Sequence, residues 1–163
     1  MPQVSANGLS FHVQVLRHDD PPGESGAPSA PRPKVVMLHG LVIDNLSQGH
    51  TAALPQGVAF AHVDLTNPNA LRKIVASFQP DAAMHFAALT IAPESVHDPS
   101  PYWRVNLTGT LNLLDALRAA GTSRLVFSST AAVYGVPEEL PVTEDAEKAP
   151  INPYGATKLA AEH

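Results

Sequence analysis

The 163 residues contain no cysteine, which excludes a disulfide framework, a thiolate metal site and a cysteine nucleophile. Charge is sparse at 15% of residues, with a formal net of −5. Lys and Arg form no cluster, so no nucleic-acid partner is expected. No apolar run approaches the ~18–20 residues that a bilayer span needs, so no membrane association is expected either. Met1-Pro2-Gln3-Val4-Ser5 has neither the basic nor the apolar pattern of a leader, and the reading is a soluble cytoplasmic protein. The eight histidines (His12, His18, His39, His50, His62, His85, His97 and His163) never fall at His-x-x-x-His or His-Glu-x-x-His spacing, so no metal site is expected. Ten glycines are present, yet none are arranged as Gly-x-Gly-x-x-Gly or Gly-x-x-Gly-x-x-Gly. What is present is an ordinary apolar fraction, 44%, on a length that suits one domain.

Residues 7–16 alternate, with Leu9, Phe11, Val13 and Val15 on one face behind an Asn7-Gly8 turn signal, and read as a half-buried strand. From Arg17 to Pro33 five prolines and two glycines leave nothing that can pack, so this is a linker. Lys34–Leu38 is an apolar run fit for a buried strand, and Leu41-Val42-Ile43 resumes after His39-Gly40. Further strands are expected at 58–63, 82–86 and 124–128, those at 82–86 and 124–128 as buried runs. Helices are expected at 68–78, at 102–120 with Leu107, Leu111, Leu114 and Leu117 inward, and from about Tyr154 onward. Gly121 stops the second helix, and Gly109 inside it points to close packing. Buried strands separated by helices give an α/β chain with a parallel, doubly wound sheet.

Tyr154 and Lys158 stand four apart, on one face of a helix. A nearby cation favours a phenolate, which suits a general base. Phe127-Ser-Ser-Thr-Ala-Ala-Val-Tyr-Gly135 follows a strand and ends it in hydroxyls. Ligands of open α/β sheets bind at such carboxyl ends, which places Thr130 where a substrate hydroxyl could be met. Glu138, Glu139, Glu144, Asp145 and Glu147 read as a solvated acidic loop, and His85 as packed.

Together with these, Val42-Ile-Asp-Asn-Leu-Ser-Gln-Gly-His50, Asp64-Leu65, His85-Phe-Ala-Ala-Leu89, Glu94-Ser-Val96, Asn106-Leu-Thr-Gly-Thr110 and Pro153–Lys158 make residues 41–163 resemble the extended short-chain dehydrogenase/reductase (NAD-dependent epimerase/dehydratase) family, most closely its sugar-nucleotide 4-epimerases. The resemblance implies a partial Rossmann-like fold with NAD as cofactor and a nucleotide sugar as substrate. Asp44 would bind the adenosine ribose hydroxyls with Asn45 beside it, a carboxylate there favouring NAD over NADP. Asp64 and Leu65 would border the adenine. Phe86, Ala87 and Ala88 would line the cofactor, and Asn106 would contact it from the long helix. Thr130 would be the catalytic hydroxyl, Tyr154 the base, and Lys158 the holder of the nicotinamide ribose. Thr90 departs from the lysine that the family often has there.

The implied reaction is epimerisation at C4, interconverting UDP-glucose and UDP-galactose. Tyr154 takes the 4-hydroxyl proton while hydride passes to NAD, and hydride then returns to the other face of the 4-keto sugar. Helices 102–120 and 153–163 would form a homodimer interface, with Trp103 and the leucine stripe as core or subunit contact.

Two elements of that family are expected to be missing. Only His39 and Gly40 separate Leu38 from Leu41. A parallel crossover takes a dozen or more residues, so the glycine-rich strand–turn–helix that seats a diphosphate has no room there. Only five residues follow Lys158, so the C-terminal substrate region is expected to be absent as well. The domain reading is an N-terminal strand and Pro-rich linker over 1–33 and a truncated NAD-binding Rossmann-like domain over 34–163. Residues 1–40 also resemble the opening of an α/β-hydrolase, without a Gly-x-Ser-x-Gly elbow to support that activity. The two halves are expected to come from a fusion or a rearranged reading frame with its junction near residues 38–46. Three functions stay open: an impaired epimerase, a silent fragment or fusion that pairs with a full-length homologue, and a fragment of a related dehydratase or decarboxylase.

Overall fold

The computed structural model describes residues 40–54 and 56–163, together with the backbone of residues 3–6 and 9–12. Strand β1 (Gln3–Ala6) pairs antiparallel with β2 (Leu9–His12), so that Asn7-Gly8 joins two strands where a single strand over 7–16 was expected. Alternation marks only the second of them. Residues 13–16, the linker and the expected strand at 34–38 lie outside the described residues.

Strand β3 (Leu41–Asp44) pairs in parallel with β4 (Ala59–His62), and β5 (Ala83–His85) in parallel with β6 (Leu125–Phe127). Among the described residues no strand hydrogen bonds join the two pairs. Helix α1 (Pro68–Phe78) connects β4 to β5. Asn67 caps it, accepting from the Ala70 N–H at 3.1 Å, and Pro68 opens it, where a missing N–H costs nothing. Gln79, at φ +52, closes it in the left-handed conformation. Helix α2 (Ala92–His97) is a six-residue turn that the hydropathy pattern does not announce. It is followed by α3 (Ser100–Tyr102), a π-helical segment (Trp103–Thr108) and α4 (Gly109–Ala119), which Gly121 terminates at φ +79. Helix α5 (Pro153–Glu162) starts on an Asn152 cap whose side chain accepts from the Gly155 N–H at 2.8 Å.

The core lies between the strands and the pair α1/α4, with Leu65, Leu71, Val75, Leu113, Ala116 and Leu117 buried together. Gly109 permits that approach, because a Cβ there would stand 3.0 Å from Leu65 Cβ. Helices α1 and α4 pack on each other and share one core with the strands. Ala83 and Leu125 face them. Met84 and Val126, paired across β5 and β6, point the other way and are 54% and 57% exposed. The expected runs 82–86 and 124–128 are therefore covered on one face only.

The long helix also differs from expectation. Its inward row is Asn106, Thr110, Leu113, Ala116 and Leu117, Leu107 is half-buried, and Leu111, Leu114 and Trp103 are exposed. The row Asn106, Thr110, Leu113 and Leu117 keeps the helical repeat, and the leucine stripe was read on a neighbouring row because two of the inward places are held by polar residues. Asn106 and Thr110 hold inward places because tertiary hydrogen bonds satisfy them.

Candidate functional site

The carboxyl ends of β3, β4 and β5 converge on one cavity, lined among others by Asp44, Asn45, Asp64, Leu65, Ala87 and Ala88. Asp44, Asn45, Asp64 and Leu65 were expected at the adenosine, and Ala87 and Ala88 along the cofactor. Each is the last residue of a strand or lies within three residues past one, which is why parallel strands bring them together. Phe86, half-buried, lies outside that lining. The Asp44 carboxylate accepts from the Leu46 N–H at 2.6 Å. Gly49 passes so close that a Cβ there would stand 3.1 and 3.2 Å from the two carboxylate oxygens. Asn45 Nδ2 donates to Asp64 Oδ2 at 2.7 Å, and Thr66 donates to Asp64 Oδ1 from its hydroxyl at 2.6 Å and its backbone at 2.8 Å. The Thr66 hydroxyl first, then Asn45, holds the Asp64 carboxyl below its ordinary value.

A second cluster lies where β6 ends. Lys158, 3% exposed, donates from Nζ to the Ser128 carbonyl at 2.8 Å, with the ammonium 4.7 Å from the centre of the Phe127 ring. Burial lowers its pKa to about 8. Thr130 caps the turn Ala131–Tyr134, its Oγ1 accepting from the Ala132 N–H at 3.2 Å. That turn lies against the start of α5, since a Cβ on Gly155 would be 2.6 Å from the Ala132 carbonyl oxygen. Tyr154 sits in the first turn of α5. Its N–H donates to Ser95 Oγ at 3.1 Å, and its ring meets Tyr102 edge-on at 6.5 Å. Ser129 donates to Glu162, which also pairs with Lys148 at 3.4 Å. Thr130, Tyr154 and Lys158 thus share one neighbourhood, set by the packing of α5 on the end of β6.

Asn106 is placed differently from the cavity residues. Its side chain is enclosed between the two clusters, bonded to Leu89 and to Thr157. Sequence reasoning missed the buried polar residues Ser95, Thr110 and Thr157, since a hydroxyl on a helix carries no periodicity signal. His85 is packed, as expected. Its Nε2 lies 2.8 Å from Thr110 Oγ1, whose single hydrogen goes to the Asn106 carbonyl at 2.5 Å. Nε2 is therefore the donor, and the ring is the neutral Nε2–H tautomer. Burial, and secondarily the charge of Lys158, lowers the His85 pKa to about 4. Between the ordinary value near 6.5 and 4 the unfolded chain takes a proton that the folded chain refuses, so stability falls with pH in that window. From pH 6.5 to 5 the expected loss is about 2 kcal/mol. Urea unfolding at the two pH values measures it, and His85→Asn should flatten the dependence.

Comparison with known proteins gives a consistent set of relatives. The family model described as GDP-mannose 4,6 dehydratase matches residues 40–163. UDP-glucose 4-epimerase of Streptomyces lividans is 47% identical over 131 residues, which are 80% of this chain and 38% of that protein. The crystal structure of UDP-glucose 4-epimerase from Brucella ovis in complex with NAD superposes with a TM-score of 0.73 at 46% identity, over 76% of this chain and 38% of that one. The Thermus thermophilus UDP-glucose 4-epimerase complex with NAD gives 0.72 at 42% identity, over 76% and 40%. The chain spans about two-fifths of the length of these relatives.

Proposed function

Because the chain belongs to the NAD-dependent epimerase/dehydratase family, with an α/β fold of parallel strand pairs in the Rossmann manner, we propose that it carries part of the machinery of a nucleotide-sugar 4-epimerase acting on UDP-glucose and UDP-galactose. Residues 34–163 form the NAD-binding part, with 1–33 as an N-terminal strand pair and Pro-rich linker. The observation that carries this reading is Lys158, a buried ammonium anchored on the Ser128 carbonyl beside the Thr130 turn, one helical turn from Tyr154.

The residues suit both ends of NAD. Asp44 presents a carboxylate at a strand end that Gly49 leaves uncrowded, a fit for ribose hydroxyls, with Asn45, Asp64 and Leu65 toward the adenine and Phe86, Ala87 and Ala88 along the path. Asn106 lies between that path and α5. At the far end Lys158 suits a nicotinamide ribose. The diphosphate between them has no glycine-rich turn in residues 34–43, so affinity is expected to be low. NAD, when bound, supplies a reversible hydride acceptor. The chain's own part is to remove and return a proton. Tyr154 serves the sugar 4-hydroxyl as base and then acid, Thr130 Oγ1 orients that hydroxyl, and Lys158 supplies positive charge on the same helix face.

The test is titration of the purified chain with NAD, followed by UDP-galactose turnover read as UDP-glucose. Tyr154→Phe is expected to reduce turnover by about 10²–10⁴-fold. A 4-keto-6-deoxy product would assign the chain to the dehydratases instead. A second reading has its own observation: Trp103, Leu111 and Leu114 are exposed along one helix. On that reading the chain is catalytically silent and pairs with a full-length homologue through residues 102–120 and 153–163. Mixing with a complete homologue and finding no heterodimer removes it.

A further inference from the structure

The cavity at the ends of β3, β4 and β5 has two charged residues in its described lining, Asp44 and Asp64, and no lysine, arginine or histidine. Asp64 is a fixed anion. Asn45 and Thr66 direct three hydrogen bonds onto it, and these hold its carboxyl below the ordinary value. Asp44 is placed to bind instead. Its Oδ1 takes the Leu46 N–H at 2.6 Å, and among the described residues nothing donates to Oδ2. A carboxylate with one oxygen uncommitted suits a vicinal diol, whose two hydroxyls are donors. Asn45 Nδ2 gives one hydrogen to Asp64 and keeps a second for a ring nitrogen. Val63, Leu65 and Ala87 add apolar wall for a planar base.

Phosphate asks for the reverse of this lining. It is held by backbone amides at a helix N-terminus or a nest, or by a cation. The amides that border the cavity are already committed. Leu46 N–H donates to Asp44, Ser47 N–H to Asn45 Oδ1 at 3.0 Å, Thr66 N–H to Asp64 at 2.8 Å and Leu89 N–H to Asn106 at 2.8 Å. Each of these four, at the carboxyl ends of three strands, is spent on a side chain of this same protein. Residues 34–43 contain no glycine-rich turn to supply others.

We propose that this cavity is a nucleoside site, which takes adenosine by its base and ribose and discriminates against phosphate on the 5′ oxygen. The proposal rests on the cavity being the adenosine side of the proposed cofactor site. It makes the nucleoside the anchor and the diphosphate a source of repulsion, which is why the whole dinucleotide is expected to bind weakly.

Isothermal titration of the full chain with adenosine, AMP and ADP, at about 20 mM salt and again at about 300 mM, tests it. Adenosine should bind tightest, AMP about tenfold weaker and ADP weaker again, because about two and about three charges are brought toward two carboxylates. Salt should close most of that gap and leave adenosine unchanged. 2′,3′-Dideoxyadenosine offers Asp44 no diol and should bind about tenfold weaker than adenosine. Asp64→Asn should improve AMP relative to adenosine by about threefold. If that variant does not fold, the ligand series on the native chain decides. AMP or ADP tighter than adenosine at low salt overturns the proposal, as does adenosine that does not bind or binds no better than its dideoxy form. The first of these leaves the proposed function standing, since a seat for the diphosphate would then exist. Preference for adenosine in a chain that turns over no UDP-galactose keeps the proposal and removes the function.

Discussion

Lys158→Met is expected to give a chain that is more stable and without turnover. A buried ammonium whose pKa falls from 10.5 to about 8 carries a desolvation cost at neutral pH of about 3 kcal/mol. The methionine forfeits the bond to the Ser128 carbonyl and the contact with the Phe127 ring, at about 1 kcal/mol each. The balance favours the variant by about 1 kcal/mol, or about 2–4 °C in Tm for a chain of this size. The native protein should gain stability from pH 8 to 10.5, because there the unfolded lysine holds a proton that the folded one has released. The variant should lack that slope. Thermal melts at pH 7 and 9.5 measure both effects, and a variant that melts lower with its alkaline slope intact would show that Lys158 is not the buried charge described here. Turnover of UDP-galactose, where the native chain has it, should drop by about 10²–10⁴-fold on losing the cation. A site that is costly to hold in the absence of ligand is a common trade of stability for function.

Gly135→Ala is expected to be the most damaging small substitution. Gly135 closes the turn that Thr130 opens, at φ +64 and ψ −120, a region that only glycine enters readily. An added Cβ would lie 2.0 Å from the Ala149 carbonyl oxygen, so backbone has to move. Strain and displacement together should cost about 4 kcal/mol. Gly121 offers the control. It has φ +79 with open space around it, and its alanine variant should cost only about 1 kcal/mol. Urea midpoints of the two variants settle the comparison, and equal losses would mean that the loop at Ala149 yields freely. The Gly135 variant should also move Thr130, since the two residues bracket one short turn.

Some of this architecture was legible because its signals are local. Asn67-Pro68 and Asn152-Pro153 start α1 and α5, Gly121 ends α4, and the turns after β3 and β4 deliver Asp44, Asn45, Asp64 and Leu65 to one cavity. The spacing of Tyr154 and Lys158 gave a shared helix face, but not that Lys158 is buried against Ser128. The leucine stripe misled because Asn106 and Thr110 hold inward places through partners far along the chain, at Leu89, Thr157 and His85, which no window of neighbours contains. Met84 and Val126 misled for a related reason. An apolar run says that a strand can be covered twice, and only the crossovers decide whether it is.

Strand ladders fix distance in quanta, since a register either holds or slips by a residue. Between β3–β4 and β5–β6 no such ladder runs among the described residues, and the span from Asp64 to Phe127 is set instead by how Leu71 and Val75 mesh with Leu113 and Leu117. Side-chain volume is a continuous gauge. A cleft width held this way can be tuned by a methylene in the core, far from any residue that touches what the cleft holds.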